Sequence, residues 1–275
     1  MKSRVAYGLI ATFAAVVLYA SNSSANHSWG GYHWARTSNP FTLKTGDNVD
    51  ANWDAYLDEA IADWSDSTVL DLQKVVGGNR TPKNCRPTAG RLEVCNARYG
   101  NTGWLGIAQI WITGGTHITQ GVTKLNDTYF NTATYDTPAW RRLVTCQEIA
   151  HDFGLDHQDE NFDNKNLGSC MDYTSDPDGT IKNQLSNEHP NAHDYQEIEI
   201  IYSHLDSTTT IGATLPSDSP SAMSDLDPEG PGQWGRLVKS TRNGRGQTYE
   251  LDFGRGKKIV THVFWADPSA DGRGR

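Results

Sequence analysis

Gln147, Glu148, His151 and His157 are the residues whose types and spacing point to chemistry. On a helix, Gln147 and His151 project from nearly the same face, and Glu148 borders it. Gly154 can take positive φ and end that helix. The chain then turns back, and His157 can approach the same point from the other side. Two imidazoles, one further donor and a nearby carboxylate are what metal-assisted hydrolysis of a peptide bond needs.

The stretch reads Q-E-x-x-H-x-x-G-x-x-H and is followed by Ser169, Cys170, Met171, Asp172 and Tyr173. It resembles the metzincin pattern H-E-x-x-H-x-x-G-x-x-H with its Met-turn. His151, His157, Glu148, Gly154 and Met171 match, while Gln147 stands in the place of the first histidine ligand. The Met-x-Tyr spacing is similar to that of astacins and serralysins, in which the tyrosine can reach the zinc.

The resemblance implies an α+β domain related to matrix metalloproteinases, astacins and serralysins. That fold has a twisted mixed β-sheet, an active-site helix, a Met-turn and a C-terminal helix. It implies Zn2+ held by His151 and His157, with Gln147 in the first ligand position. Glu148 would be the general base of a metalloendopeptidase acting on a protein or peptide substrate. Met171 would floor the site, and Tyr173 would donate to an oxyanion or ligate reversibly. An amide oxygen is a poorer zinc donor than imidazole. Three readings therefore stand: Gln147 ligates, Asp159 or Tyr173 completes the site instead, or the chain is a pseudoprotease that binds polypeptides. Retention of Glu148 favours activity, since a binder needs no general base.

The elements that must position these residues show in the apolar periodicity. Trp53, Tyr56, Leu57, Ala60, Ile61 and Trp64 predict a helix over 52–65. Thr137 and Pro138 supply a cap and a first-turn proline for the helix that carries Glu148. Strands are expected over 35–43, 69–76, 104–112 and 118–125, and a last helix over 194–205. Residues 79–101 read as a turn-rich insertion. By the resemblance, Leu105, Gly106, Ile107, Ala108, Gln109 and Ile110 form an edge strand that pairs with extended substrate; an ordinary interior strand is the other reading. His27 and His33 could hold a metal near the start of the chain, but fit packing or surface roles better. His189 and His193 fit capping or surface roles. The acidic loops 158–163 and 176–179 offer oxygen ligands for Ca2+ without a complete calcium-loop pattern.

Residues 1–25 read as a secretory signal peptide. Lys2 and Arg4 precede an apolar run too short for a span, and Ser23, Ser24 and Ala25 supply small residues for cleavage. The expected location is therefore extracellular, with no stable membrane span. An exported chain with 4 cysteines favours disulfides: Cys85 with Cys95, and Cys146 with Cys170. The net charge of −9 argues against a nucleic-acid partner. The division expected is a catalytic domain over 26–206, a Ser/Thr/Pro/Gly-rich linker over 207–232 and a small β-rich appendage over 233–275.

Overall fold

The structure is a computed structural model that describes residues 27–224, 226 and 230–269. The expected signal peptide lies outside them. Among the described residues, 9 strands join in one mixed sheet. Strands β1 to β6 are His33–Trp34, Phe41–Asn48, Leu70–Val76, Leu92–Ala97, Trp104–Thr113 and His117–Asn126. Strands β7 to β9 are Arg236–Ser240, Gly246–Gly254 and Lys257–Trp265. The order across the sheet is β3-β2-β4-β6-β5-β9-β8-β7, with β1 beside β6. The β3-β2-β4-β6 half is parallel and the β6-β5-β9-β8-β7 half is antiparallel.

Helix α1 (Asp54–Ser65), with buried Trp53 at its N-cap, turns Leu57, Ala60 and Trp64 inward. The Trp64 indole reaches across to the Cys146 carbonyl at 3.1 Å, so α1 packs directly on the motif helix. A short helix α2 (Asp127–Phe130) follows β6, and then comes α3 (Pro138–His151), the motif helix. Thr137 accepts the Trp140 N–H as its cap, and nearly all of α3 is buried between α1 and the sheet. After α3, Gly154 has φ +99°. A Cβ there would collide with the Tyr32 carbonyl, so both the turn and the close approach require glycine. Helix α4 (Ala192–Ile201) begins with a capping box in which Asn191 and Asp194 satisfy each other's backbone donors.

Three expectations change here. Residues 92–97 form a buried strand in the middle of the sheet, not part of a turn-rich insertion. Its polar residues hide the pattern because they are satisfied internally: Glu93 accepts from Asn48 at 2.7 Å, and Cys95 is bridged to Cys85. Strand β5 is not an edge. It pairs with β6 on one side and β9 on the other, so its backbone donors and acceptors are taken within the chain. The expected C-terminal appendage contributes β7, β8 and β9 to the same sheet as the rest of the molecule. That last placement brings a residue of the tail to the motif helix.

Candidate metal centre

Helix α3 delivers Glu148 and His151, the Gly154 turn delivers His157, and β9 delivers His262. Ring nitrogens of His151, His157 and His262 lie within 4.8 Å of one another. His151 Nε2 and His157 Nε2 face each other at 3.2 Å. Four donors about 2.0–2.1 Å from a tetrahedral zinc stand roughly 3.3–3.4 Å apart, so this spacing suits a shared ion.

The other ring nitrogens are held by the surroundings. His151 Nδ1 lies 2.7 Å from the Leu155 carbonyl, and His157 Nδ1 lies 3.2 Å from Asp156 Oδ1. His262 Nδ1 lies 2.9 Å from Glu148 Oε2. A carbonyl or carboxylate on the far nitrogen is how ligating imidazoles are oriented and made more basic. The Tyr173 hydroxyl is 2.6 Å from His262 Nε2.

The centre is closed on several sides. Trp29 lies against His151 with ring centroids 5.1 Å apart, and Tyr173 stacks on His157 at 4.2 Å. Glu148 sits over Gly106 of β5, where a Cβ would overlap its side chain. Gly246 of β8 leaves room for the Tyr173 phenol in the same way. A cleft of about 820 Å³ opens beside His157, between residues 158–163 and residues 240–243 at the end of β7. Lys239 Nζ lies 2.8 Å from Asp156 and 2.6 Å from Glu160.

Electrostatics separates the groups. Burial pushes the Glu148 carboxyl well above its usual range, against a smaller pull from His157. Burial and the neighbouring imidazoles hold His151 and His262 well below theirs. His157 is also penalised by burial, but Asp156 and Glu160 outweigh that and raise it. Burial raises the Tyr173 phenol, so it stays protonated and remains a donor. The donor set fits zinc: three imidazoles converge, His151 and His262 held toward the neutral form, and Glu148 Oε1 is buried without a hydrogen-bond partner.

Gln147 is also fully buried, and its amide nitrogen donates to the Cys170 carbonyl at 2.8 Å while Oε1 has no partner. Cys146 is bridged to Cys170, so the residues before Gln147 and before Met171 are joined covalently. Met171 is buried in the main hydrophobic core. Asp159 is used in its own loop, with Oδ1 2.6 Å from Asn161 N. Asp178 likewise accepts from Thr180. His189 pairs with Asp63 at 2.8 Å. His27 bonds to the Asp156 carbonyl and stacks on His193.

The residue that sequence reasoning missed is His262. Its one local sign is an imidazole amid the apolar run of β9, where every residue from Ile259 to Phe264 is buried. A buried imidazole in such a strand needs partners, but nothing in the sequence says that the strand lies against α3.

No protein-family model matches the sequence, and no curated protein matches it. Among solved structures, the chain is similar to high choriolytic enzyme 1, a hatching enzyme zinc-protease from the medaka fish Oryzias latipes. The identity is 11% and the TM-score 0.36, over 62% of this chain and 94% of that one. So distant a likeness assigns nothing to this chain.

Proposed function

We propose that the chain is a secreted, zinc-dependent endopeptidase of metzincin type whose third imidazole comes from the C-terminal strand. The observation that supports it is the meeting of His262 with His151 and His157. His151, His157 and His262 would hold the ion, and Gln147 would lie behind them, tied to Cys170. Zinc in such a site supplies Lewis acidity, polarising a scissile carbonyl and acidifying water.

The protein's own groups do the rest. Glu148 uses Oε2 to orient His262 and keeps Oε1 free to take a proton from water. Its raised proton affinity suits a group that accepts a proton and passes it to a leaving amine. With His262 Nε2 given to the ion, the Tyr173 O–H would be free to donate to the oxygen of the attacked carbonyl. The cleft beside His157 receives the polypeptide. The two disulfides suit an oxidising, extracellular setting, and no described helix is long and apolar enough to cross a membrane.

A second reading, a polypeptide-binding pseudoprotease, is favoured by one observation: Glu148 and the three imidazoles are all buried. Metal analysis of the secreted protein, with hydrolysis of a protein substrate assayed with and without chelator, separates the two. The expected result is bound zinc, chelator-sensitive hydrolysis, and a Glu148→Gln variant that keeps its zinc but hydrolyses about 10²-fold more slowly or worse. Bound zinc without hydrolysis would favour the binding role. Unchanged turnover in Glu148→Gln would remove Glu148 from the chemistry.

A further inference from the structure

A separate group of imidazoles gathers where β1, the start of β6 and the segment after α4 meet. His33 Nε2 is 3.2 Å from His204 Nε2 and 3.5 Å from Asp206 Oδ1. His204 Nε2 is 3.9 Å from the same oxygen, and His117 Nε2 is 3.3 Å from it. Most of these separations match the roughly 3.3–3.4 Å between donors around a tetrahedral zinc.

The surroundings aim the donors. Arg36 takes the other oxygen of Asp206, with its backbone N at 3.2 Å and Nη1 at 3.1 Å from Oδ2. That leaves Oδ1 facing the rings. His33 Nδ1 lies 2.9 Å from the Gly31 carbonyl and donates to it, so the His33 lone pair sits on Nε2, toward His204 and Asp206. A carboxylate oxygen offers about two lone-pair sites, so three imidazoles around one oxygen are more than hydrogen bonding requires. The side chains of His33 and Asp206 are nearly buried at 7% and 11% exposure, whereas His117 and His204 are 33% and 50% exposed. An ion can therefore enter from the His117 and His204 side and come to rest against a carboxylate already fixed by arginine.

We propose that His33, His204 and Asp206 form a second site for zinc or a similar divalent transition metal. Its role is structural, because the ion would hold β1 against the segment after α4. The site joins two parts of the chain that are distant in sequence. It also fixes the segment that braces the motif turn, in which Trp34 donates its indole N–H to the Asp152 carbonyl and Trp29 N–H donates to Gly154. The inference is independent of the function proposed above, since it shares no ligand with the other centre.

The test is zinc and cobalt(II) titration of the metal-stripped full chain, comparing wild type with His204→Ala, Asp206→Asn and His262→Ala. His204 is half exposed, so its replacement leaves the fold intact. His204→Ala and Asp206→Asn should each lose about one metal equivalent, or bind it at least about tenfold more weakly. His262→Ala should keep that equivalent, together with the visible absorption of tetrahedral cobalt(II). His204→Ala with the zinc capacity and cobalt spectrum of wild type would overturn the proposal. So would a His262→Ala protein, folded by circular dichroism, that takes up no metal.

Discussion

His262 and Glu148 are separated by 114 positions in sequence, yet His262 Nδ1 lies 2.9 Å from Glu148 Oε2. The pair links the C-terminal strand to the motif helix at the point where the chemistry would occur. It also divides the carboxylate into one oxygen that orients an imidazole and one without a partner. The motif and the tail are therefore parts of one centre.

Comparing His262→Ala with Gln147→Ala distinguishes the third donor. With His262 as ligand, His262→Ala should weaken zinc binding at the His151–His157–His262 centre by about 10–100-fold or more. Gln147→Ala should leave that affinity nearly unchanged. It should lower stability by about 1–3 kcal/mol, because the buried Cys170 carbonyl loses its donor. Competitive zinc titration with denaturant unfolding reads both quantities, and the reverse pattern would return the ligand role to Gln147.

The motif helix was legible because its signals are local. Thr137 caps it, Pro138 opens it, and Gly154 ends the turn after it. Helix α1 showed through its aromatic stripe, and strands β5 and β6 through their apolar runs. The two disulfide pairs followed from spacing and an even count. What was not legible depends on strand order. Neither the position of β4 between β2 and β6 nor that of β9 beside β5 is written in either strand alone. Glu93 and Asn96 look like loop residues until Asn48 and Asp127 are placed opposite them. His262 looks like a chance polar residue until α3 is laid across β9.

Asp172 predicts a pH dependence in the metal-free protein. Burial pushes its carboxyl up to about 6, only partly offset by donation from Leu167 N–H and the Asn187 amide. The folded state therefore holds this proton more tightly than the unfolded chain, where the value is about 3.9. The associated stability is complete below about 3.9 and is lost as pH rises through about 6. Asp172→Asn does not titrate and keeps an oxygen for the same donors. Wild type should thus lose stability relative to the variant as pH rises from 4 to 7. Denaturant unfolding of both chelated proteins across that range checks the sign. A pH-independent difference would contradict the buried-acid account.

Cys146–Cys170 joins α3 to the segment carrying Met171 and Tyr173 across a separation of 24 residues. Replacing both cysteines by serine should cost about 2–4 kcal/mol, mainly by freeing the unfolded chain. It should also weaken zinc binding, because Gln147 and Tyr173 lose a shared anchor next to the imidazoles. Replacing Cys85 and Cys95 instead should lower stability without changing zinc affinity, since that bridge joins β4 to the loop before it. Equal effects of the two pairs on zinc affinity would count against this distinction.

Strand β9 makes a prediction about where substrate cannot bind. Ala108 pairs with His262, Ile107 with Val263 and Ile110 with Val260, while β6 occupies the other side of β5. An extended peptide could pair with β5 only by displacing β9, which would carry His262 away from His151 and His157. Hydrogen exchange should therefore find the β5 amides as slow as the deepest core, and unchanged when a peptide inhibitor is added. Protection should change instead around residues 158–163 and 240–243, which line the open cleft beside His157. If inhibitor alters exchange in β5 and β9 together, then β9 yields its place to the peptide, and the centre drawn from His262 cannot persist in the bound state.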